Sequence, residues 1–295
     1  MDVWATAKIN LFLKVLDRRP DGYHTIETVY QSVGLADRLQ FQVTDEEITL
    51  QCRHGDLPGG RDNLIVRAAD LMKRTFPGQI GGLDITLEKR IPIGSGLGGG
   101  SADAAATVRA SNELFHLGLS ADRLRQLGAQ IGMDVAFLIE GGRAIGRDRG
   151  DRIEVLKIHD TTWAVIAVPP VAISTRWAYE QLDRQSPSEL PAVEVFVERL
   201  GSGRLEQWAG LCANDFERVV FPTCPEIKAL RDRFLRAGCL AAFLTGSGSA
   251  VVGLTDDRER AARVARELSP FCRMTEAVPF LTGVSPEQGA GSGLN

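Results

Sequence analysis

The chain has 295 residues, of which 44% are hydrophobic and 24% are charged, and its formal net charge is -4 at pH 7. This composition is typical of a soluble globular protein with one large or two medium domains, and the lack of a basic balance disfavours a nucleic-acid partner. No run of about 18 apolar residues occurs, so no membrane partner is expected. The five cysteines are scattered and the N-terminus does not resemble a signal peptide, so we expect a cytoplasmic protein with reduced thiols.

The first third of the chain is predicted to be mainly β-structure. Residues 4–19 are rich in Ile, Leu, Phe and Val, which favours a strand, and a Pro-Asp-Gly turn then leads back into a β pattern. Residues 37–43 and 46–52 alternate apolar with polar side chains, so both predict half-buried strands. Residues 62–76 have helical spacing, with Asp62 as the expected N-cap.

A strand, a glycine-rich loop and two helices are predicted next. Residues 81–91 carry apolar side chains at every second position, which indicates a strand with one face toward solvent. After the loop, helices are predicted from about Ser101 to Phe115 and from a cap at Ser120 onward.

The second half of the chain opens with a predicted strand at residues 163–170. Helices are then predicted at about 175–183, 192–200, 204–213 and 225–237. The C-terminal part predicts two strands around a Gly-Ser-Gly turn, a charged amphipathic helix and a last strand.

These elements alternate without the long βαβ rhythm of a doubly wound sheet, which favours an α+β fold with two layers in each half. We expect an N-terminal domain at 1–155 and a C-terminal domain at 156–283. The small and polar residues of 284–295 predict a disordered tail.

The glycine-rich loop at residues 92–102 is the strongest chemical signal. Gly94, Gly96 and Gly99 fit G-x-G-x-x-G by spacing, but the preceding strand is charged and alternating, which is unlike a dinucleotide fold. A Walker A loop would need a Gly-Lys-Ser/Thr end, and the other elements of protein kinases are absent. Clustered glycines let backbone N–H groups surround an anion, and the following helix adds its positive dipole end, so the loop predicts a phosphate site. The simpler alternative is a flexible linker.

Six stretches of the sequence resemble motifs of known kinases and occur in family order. The glycine loop, residues 7–15 and residues 244–253 resemble motifs of the GHMP small-molecule kinases. Residues 19–29, 62–69 and 131–138 are similar to the 4-diphosphocytidyl-2-C-methylerythritol kinase family among them.

The resemblance implies a two-domain GHMP kinase fold. Its N-terminal half is expected to resemble domain 2 of ribosomal protein S5, its C-terminal half to be ferredoxin-like, and the active site to lie in the cleft between them. The implied reaction transfers the γ-phosphate of ATP, supplied as Mg-ATP, to the 2-hydroxyl of a small molecule with a cytidine diphosphate group. The alternative is another GHMP kinase that acts on homoserine, mevalonate or a sugar. A monomer or weak homodimer is expected.

The resemblance also assigns a catalytic pair. Asp134 matches the family's aspartate and is expected to take the proton of the attacking hydroxyl. Lys8 matches the family's lysine and is expected to favour the ionised carboxylate and to stabilise developing charge. Taken alone, Lys8 is more typical of a solvated strand and Asp134 of a helix cap or turn. Met133 and Ala136 replace the Ala and Pro that are usual around the aspartate, which puts the local backbone geometry in question.

Nucleotide binding is assigned by resemblance to the glycine loop and one asparagine. The residues expected to bind ATP are Pro92, Ile93, Gly94, Ser95, Gly96, Leu97, Gly98, Gly99, Gly100, Ser101, Ala102 and Asn63. A second serine is common in the family where Ala102 stands, so one hydroxyl contact is lost. Asn63 is the expected adenine contact, with helix capping by the Asp62–Asn63 pair as the alternative.

The remaining assignments concern the substrate. The residues expected to bind it are Asn10, Tyr23, His24, Thr175, Gly246 and Ser247, and no protein metal ligand is expected. Tyr23 is assigned ring stacking on the cytosine and His24 hydrogen bonds to its edge. Plainer alternatives are a turn histidine, an asparagine that fixes the strand end, and a simple hairpin turn at Gly246.

Overall fold

The computed structural model describes residues 1–45, 47–52, 60, 62–158 and 160–285. Of the predicted tail, residues 286–295 lie outside the described residues. The described chain is an α+β structure with two sheets, which confirms the predicted fold class. None of the described helices is both long and apolar enough to cross a membrane.

The first sheet is built around a long antiparallel hairpin. Its seven strands are β1 (Asp2–Arg18), β2 (His24–Thr44), β3 (Ile48–Cys52), β4 (Gly82–Glu88), β5 (Arg143–Arg147), β6 (Arg152–Val155) and β8 (Ala213–Asn214). The order is β3-β4-β2-β1-β8, and β5 pairs with β2 and β6. The strand predicted at 37–43 is the far end of β2, which runs for 21 residues without a break because it pairs with β1 along most of its length.

Four helices belong to the first half: α1 (Leu64–Thr75), α2 (Gly99–Leu114), α3 (Ala121–Ala129) and α4 (Met133–Leu138). The central helix α2 buries mostly alanines, whose small side chains let it lie close to β1 and α1. Ser120 caps α3 as predicted. The expected Asp62 cap of α1 is wrong, because Asn63 occupies that position and its Oδ1 accepts from the N–H of Ile65 at 2.9 Å.

The second sheet has four antiparallel strands: β7 (Trp163–Val168), β9 (Ala241–Leu244), β10 (Val251–Thr255) and β11 (Met274–Pro279). The order β11-β7-β10-β9 places the last strand beside the first, which is the ferredoxin-like arrangement. The helices of this half are α5 (Thr175–Leu182), α6 (Val193–Leu200), α7 (Leu205–Trp208), α8 (Glu217–Thr223), α9 (Pro225–Arg236) and α10 (Arg258–Leu268).

The helix predicted at 204–213 is wrong in its second half. It ends as α7 and a single 3₁₀ turn, Ala209–Leu211, after which the chain extends into β8. Pairing of Ala213 with Phe12 of β1 therefore outweighs the local helical pattern. The short elements α4, β5, β6 and β8 are not predicted by the sequence pattern.

The second half of the chain reaches into the first sheet. The Asp215 carboxylate, directly after β8, accepts from the N–H of Val15 at 2.7 Å. The Asn214 amide donates to the carbonyls of Leu244 and Gly246 at 2.7 and 2.8 Å. These bonds hold the β9–β10 turn against β1, where it faces the glycine loop.

Candidate active site

A cavity of about 750 Å³ is enclosed by the glycine loop, the start of α4, α5 and the β9–β10 turn. Its lining includes every residue predicted for catalysis or substrate binding: Lys8, Asn10, Tyr23, His24, Asp134, Thr175, Gly246 and Ser247. Of the residues predicted for ATP, the lining includes Gly96, Gly98 and Ser101. Six separate stretches of the sequence thus converge on one space.

A lysine and an aspartate face each other in this cavity. Lys8 lies on β1 with 4% of its surface exposed, and its Nζ is 3.4 Å from Asp134 Oδ2. The same ammonium donates to Asn10 Oδ1 at 2.7 Å. A buried ammonium with two oxygen partners points in one direction, so it presents its positive charge in a fixed position beside the carboxylate.

Helix α4 orients the aspartate without the proline that is usual in the family. Gly132 is the N-cap of α4, Asp134 lies in the first turn, and Ala136 is buried in helical backbone. The amide of Asn10 is engaged by the protein, since its oxygen also accepts from Gly246 N at 3.1 Å and its nitrogen donates to Thr28 at 2.8 Å. Asn10 therefore fixes the Lys8 ammonium and the β9–β10 turn together.

The glycine loop is clamped between β1 and the β9–β10 turn. The N–H of Lys8 donates to Leu97 O at 3.0 Å, and the N–H of Ala250 donates to Ser95 O at 3.0 Å. Gly96 has φ +83, and a Cβ there would lie 2.2 Å from the carbonyl oxygen of Thr245. Only glycine fits this position, because the backbone is left-handed and the neighbouring backbone is in contact.

The loop offers backbone rather than side chains to a ligand. The side chains of Ser95, Leu97 and Ala102 are buried, whereas Ile93 is 57% exposed. Gly98, with φ +72, is the N-cap of α2, so the free N–H groups of the first turn open toward the cavity. Asn63 is not part of the cavity lining and caps α1.

A buried ion cluster lies under the loop. The Lys89 ammonium donates to Asp37 at 2.5 Å and to Asp103 at 2.8 Å, and Asp103 belongs to the second turn of α2. Burial, together with the nearby Asp37 carboxylate, raises the pKa of Asp103 to about 8. The cluster ties β2, the end of β4 and α2 together behind the glycines, and the sequence analysis had not identified it.

The far end of the cavity is aromatic. His24 stacks on Tyr179 with ring centroids 4.6 Å apart, and its Nε2 is 2.6 Å from Asp183 Oδ1. Tyr23 is 51% exposed, and the Arg149 guanidinium lies 5.6 Å from its ring centroid. Tyr179 and Asp183, both from the α5 region, and Arg149 were missed by sequence reasoning.

Polar groups complete the cavity wall. Thr175 Oγ1 is 2.8 Å from Ser247 Oγ, which links the start of α5 to the β9–β10 turn. Among the described residues, no group of three or more His, Cys, Asp and Glu side chains could hold a metal ion. Ser101 and Asp134 both line the cavity and offer oxygen atoms, the donor type that Mg²⁺ prefers.

Residues 63–142 match the GHMP kinases N terminal domain family, and residues 196–273 match the GHMP kinases C terminal family. The 4-diphosphocytidyl-2-C-methyl-D-erythritol kinase of Bacillus cereus strain B4264 is 38% identical over 95% of this chain and 96% of its own length. The enzyme of that name from Moorella thermoacetica is 42% identical over 90% of this chain and 93% of its own length.

Two solved structures resemble this chain. A crystal structure of a 4-(cytidine 5'-diphospho)-2C-methyl-D-erythritol kinase is 34% identical, with a TM-score of 0.80 over 95% of this chain and 99% of that chain. A homoserine kinase from Cytophaga hutchinsonii, at 20% identity and a TM-score of 0.76 over 97% of this chain and 96% of that chain, shares the fold. The chain therefore belongs to the 4-diphosphocytidyl-2-C-methyl-D-erythritol kinase family of the GHMP kinases.

Proposed function

We propose that this chain transfers the γ-phosphate of ATP to the 2-hydroxyl of 4-diphosphocytidyl-2-C-methyl-D-erythritol, giving the 2-phosphate and ADP in the non-mevalonate isoprenoid pathway. The observation that carries the proposal is a single cavity with a lysine–aspartate pair beside a glycine loop at one end and stacked aromatic rings at the other. Phosphate transfer to an alcohol needs the lysine, the aspartate and the glycine loop at the first end. The stacked aromatic rings at the second end suit the cytosine base of the substrate.

The chemistry uses the Lys8–Asp134 pair. The 2-hydroxyl oxygen attacks the γ-phosphorus, its proton passes to the Asp134 carboxylate, and the bond from the γ-phosphorus to the bridging oxygen of ADP breaks. The Lys8 ammonium, 3.4 Å from Asp134 Oδ2, stabilises the negative charge that develops between nucleophile and phosphate.

The glycine loop holds the triphosphate through backbone N–H groups at the start of α2. Ser101 adds a hydroxyl at the same place. Mg²⁺, carried by the phosphates, would neutralise part of their charge, and the Ser101 hydroxyl could offer it an oxygen ligand. The adenine contact of Asn63 stays a prediction.

The substrate base would occupy the aromatic end. Tyr23 and Tyr179 present ring faces, and His24, held by Asp183, presents a ring nitrogen edge. A diphosphate is bound best by positive charge. Three guanidinium groups line the cavity: Arg18, Arg149 and Arg176. This combination favours a cytidine diphosphate substrate over homoserine or mevalonate, neither of which carries a base.

The test is ADP release from Mg-ATP with a panel of alcohols that includes 4-diphosphocytidyl-2-C-methyl-D-erythritol, homoserine and mevalonate. We expect turnover with the first compound alone, and competitive inhibition of that turnover by CDP. Turnover with homoserine or mevalonate alone would refute the substrate assignment. Asp134→Asn should bind ATP and lose kcat by a factor of about 10² or more, and near wild-type kcat would refute its role as the base.

We also propose a cytoplasmic location for the enzyme. None of the five cysteines, all of which lie among the described residues, forms a disulfide, and this pattern is typical of a reducing compartment. Cell fractionation of the native host with an antibody to the chain tests this directly, and recovery in a secreted fraction would contradict it.

A further inference from the structure

We propose that Tyr30 is a positioning residue for phosphoryl transfer, whose hydroxyl fixes the Asp134 carboxylate so that Oδ2 is turned toward the glycine loop. The inference rests on the proposed function, because it assumes that Asp134 accepts the proton of the substrate hydroxyl. Tyr30 lines the cavity, but only 1% of its surface is exposed and its hydroxyl is bonded to Asp134, so we assign it a role that acts through Asp134.

The contact is a hydrogen bond to one carboxylate oxygen. The Tyr30 hydroxyl donates to Asp134 Oδ1 at 3.1 Å. Burial and the nearby Asp134 carboxylate raise the pKa of Tyr30 well above its ordinary value. The hydroxyl therefore stays protonated, and remains a donor, at every pH at which the enzyme works.

The Tyr30 ring is held on several sides. It stacks on Phe137 of α4 with centroids 4.8 Å apart, and the Lys8 ammonium lies 5.6 Å from its centroid. On the β5–β6 side, a Cβ at Gly146 would lie 2.5 Å from Tyr30 Cε2, and a Cβ at Gly150 would lie 2.5 Å from the hydroxyl oxygen. Two glycines thus leave the space that this phenol fills, which fixes the direction of its hydroxyl.

The two oxygens of Asp134 consequently differ. Oδ1 is engaged by Tyr30, whereas Oδ2 is 3.4 Å from Lys8 Nζ. A Cβ at Gly98 would lie 3.6 Å from Oδ2, so this oxygen faces the loop that would hold the triphosphate. Oδ2 is therefore the oxygen left for the substrate proton, and loss of the Tyr30 bond would free the carboxylate to rotate.

Three groups approach this carboxylate from different elements: Lys8 from β1, Tyr30 from β2 and Tyr179 from α5. Of these, Tyr30 is the hydroxyl bonded to the carboxylate. A donor bonded to one carboxylate oxygen restricts rotation of the carboxylate, so Tyr30 should keep Oδ2 in place for the substrate hydroxyl.

A plainer explanation is that a buried tyrosine simply needs a hydrogen-bond partner. Tyr30→Phe separates the two explanations, since it removes one hydroxyl and keeps the ring. With Mg-ATP and 4-diphosphocytidyl-2-C-methyl-D-erythritol, we expect kcat to fall about 10-fold while KM for both substrates changes less than about 2-fold.

Ser111→Ala is the matched control, because it also removes one buried hydroxyl, from α2 and away from the cavity lining. It should leave kcat and both KM values unchanged. If the wild-type enzyme does not phosphorylate the substrate, the proposed function fails. If the wild-type enzyme is active and Tyr30→Phe keeps kcat within about 2-fold of wild type, only the role of Tyr30 fails. The kcat of Tyr30→Phe is normalised to the folded fraction measured by circular dichroism, so partial unfolding cannot account for a loss.

Discussion

The ammonium of Lys8 occupies the centre of the proposed chemistry. It contacts the Asn10 oxygen at 2.7 Å and the Asp134 carboxylate at 3.4 Å, and it lies above the Tyr30 ring. These contacts fix the charge before substrate arrives, so no reorganisation is needed as negative charge develops in the transition state. Such fixed charge is among the largest contributions to catalysis in enzymes.

Lys8→Met should lower kcat by about 10²-fold or more, since it removes the charge and keeps the apolar stem. Steady-state ADP release measures the effect, and KM for ATP should change much less because the backbone of the glycine loop is untouched. Lys14→Met is the matched control on the same strand, where the ammonium contacts only the Pro191 carbonyl among described atoms. A kcat within about 3-fold of wild type for Lys8→Met would contradict this role.

The His24 ring depends on Asp183 for its orientation. Asp183 Oδ1 is 2.6 Å from Nε2, and the ring is otherwise held by stacking on Tyr179. Asp183→Ala should raise KM for the cytidine substrate by about 10-fold, as expected for loss of a charge-assisted hydrogen bond, and leave KM for ATP unchanged. Asp232→Ala provides the control, because Asp232 is a half-buried residue of α9 outside the cavity lining. Equal rises in both KM values would indicate general disruption instead.

The candidate site residues that were predicted lie in sequence motifs, whereas those that were missed do not. Lys8 and Asp134 were assigned because they stand in recognisable motifs. Tyr179 lies on α5 and Asp183 is the C-cap of that helix, and at ordinary helical spacing a sequence does not distinguish a buried core residue from a ligand contact. Tyr30 likewise has the alternation of any buried strand residue, and only the folded geometry brings it to Asp134.

Gly94 and Gly96, two of the three left-handed glycines of the glycine loop, meet different surroundings. A Cβ at Gly96 would overlap the Thr245 carbonyl at 2.2 Å, whereas a Cβ at Gly94, with φ +65, would meet nothing within 4 Å. Gly96→Ala should therefore displace the loop and destabilise the fold by about 3 kcal/mol or more. Gly94→Ala should cost only about 1 kcal/mol, the ordinary penalty for a left-handed residue with a side chain.

Urea unfolding measures both glycine variants, and KM for ATP provides a second readout. We expect KM for ATP to rise strongly in Gly96→Ala and little in Gly94→Ala. Equal effects of the two substitutions would show that backbone conformation alone governs the loop and that its contact with the β9–β10 turn is unimportant.

The elements that were predicted well are those whose signal is local. The start of α9 at Pro225 and the hairpin β9–β10 follow from their own residues. The end of the predicted helix at 204–213 and the two-residue strand β8 do not, because β8 exists only through pairing with β1. Pairing between strands that are distant in sequence cannot be recognised from about ten neighbouring residues, so these elements could not be predicted.

Strand pairing and hydrogen bonds join the two halves of the molecule. Strand β8 belongs to the first sheet, and Asp215 binds Val15 N, while Leu281 N donates to Ser32 O from the C-terminal end. The active cavity lies where these halves meet, so its geometry depends on the stability of the whole chain. We propose that the predicted boundary at residue 155 does not separate two independently folding units.

Glu217 links this stability to pH. It lies on α8, and its carboxylate accepts from the N–H of Leu244 at 2.8 Å, just before the β9–β10 turn. Burial raises the pKa of Glu217 to about 7 from 4.5. The folded state then binds a proton more tightly than the unfolded state, so this contribution to stability is complete below pH 4.5 and is lost as pH rises toward 7.

Glu217→Gln should remove that loss, because the amide oxygen still accepts from Leu244 and carries no charge. The free energy of unfolding in urea should rise by roughly 1–3 kcal/mol relative to wild type at pH 8 and change little at pH 4. Glu189→Gln, in the exposed loop before α6, controls for the change of net charge. An equal gain for both variants, or a gain for Glu217→Gln that is the same at both pH values, would show that burial of the Glu217 charge does not oppose folding.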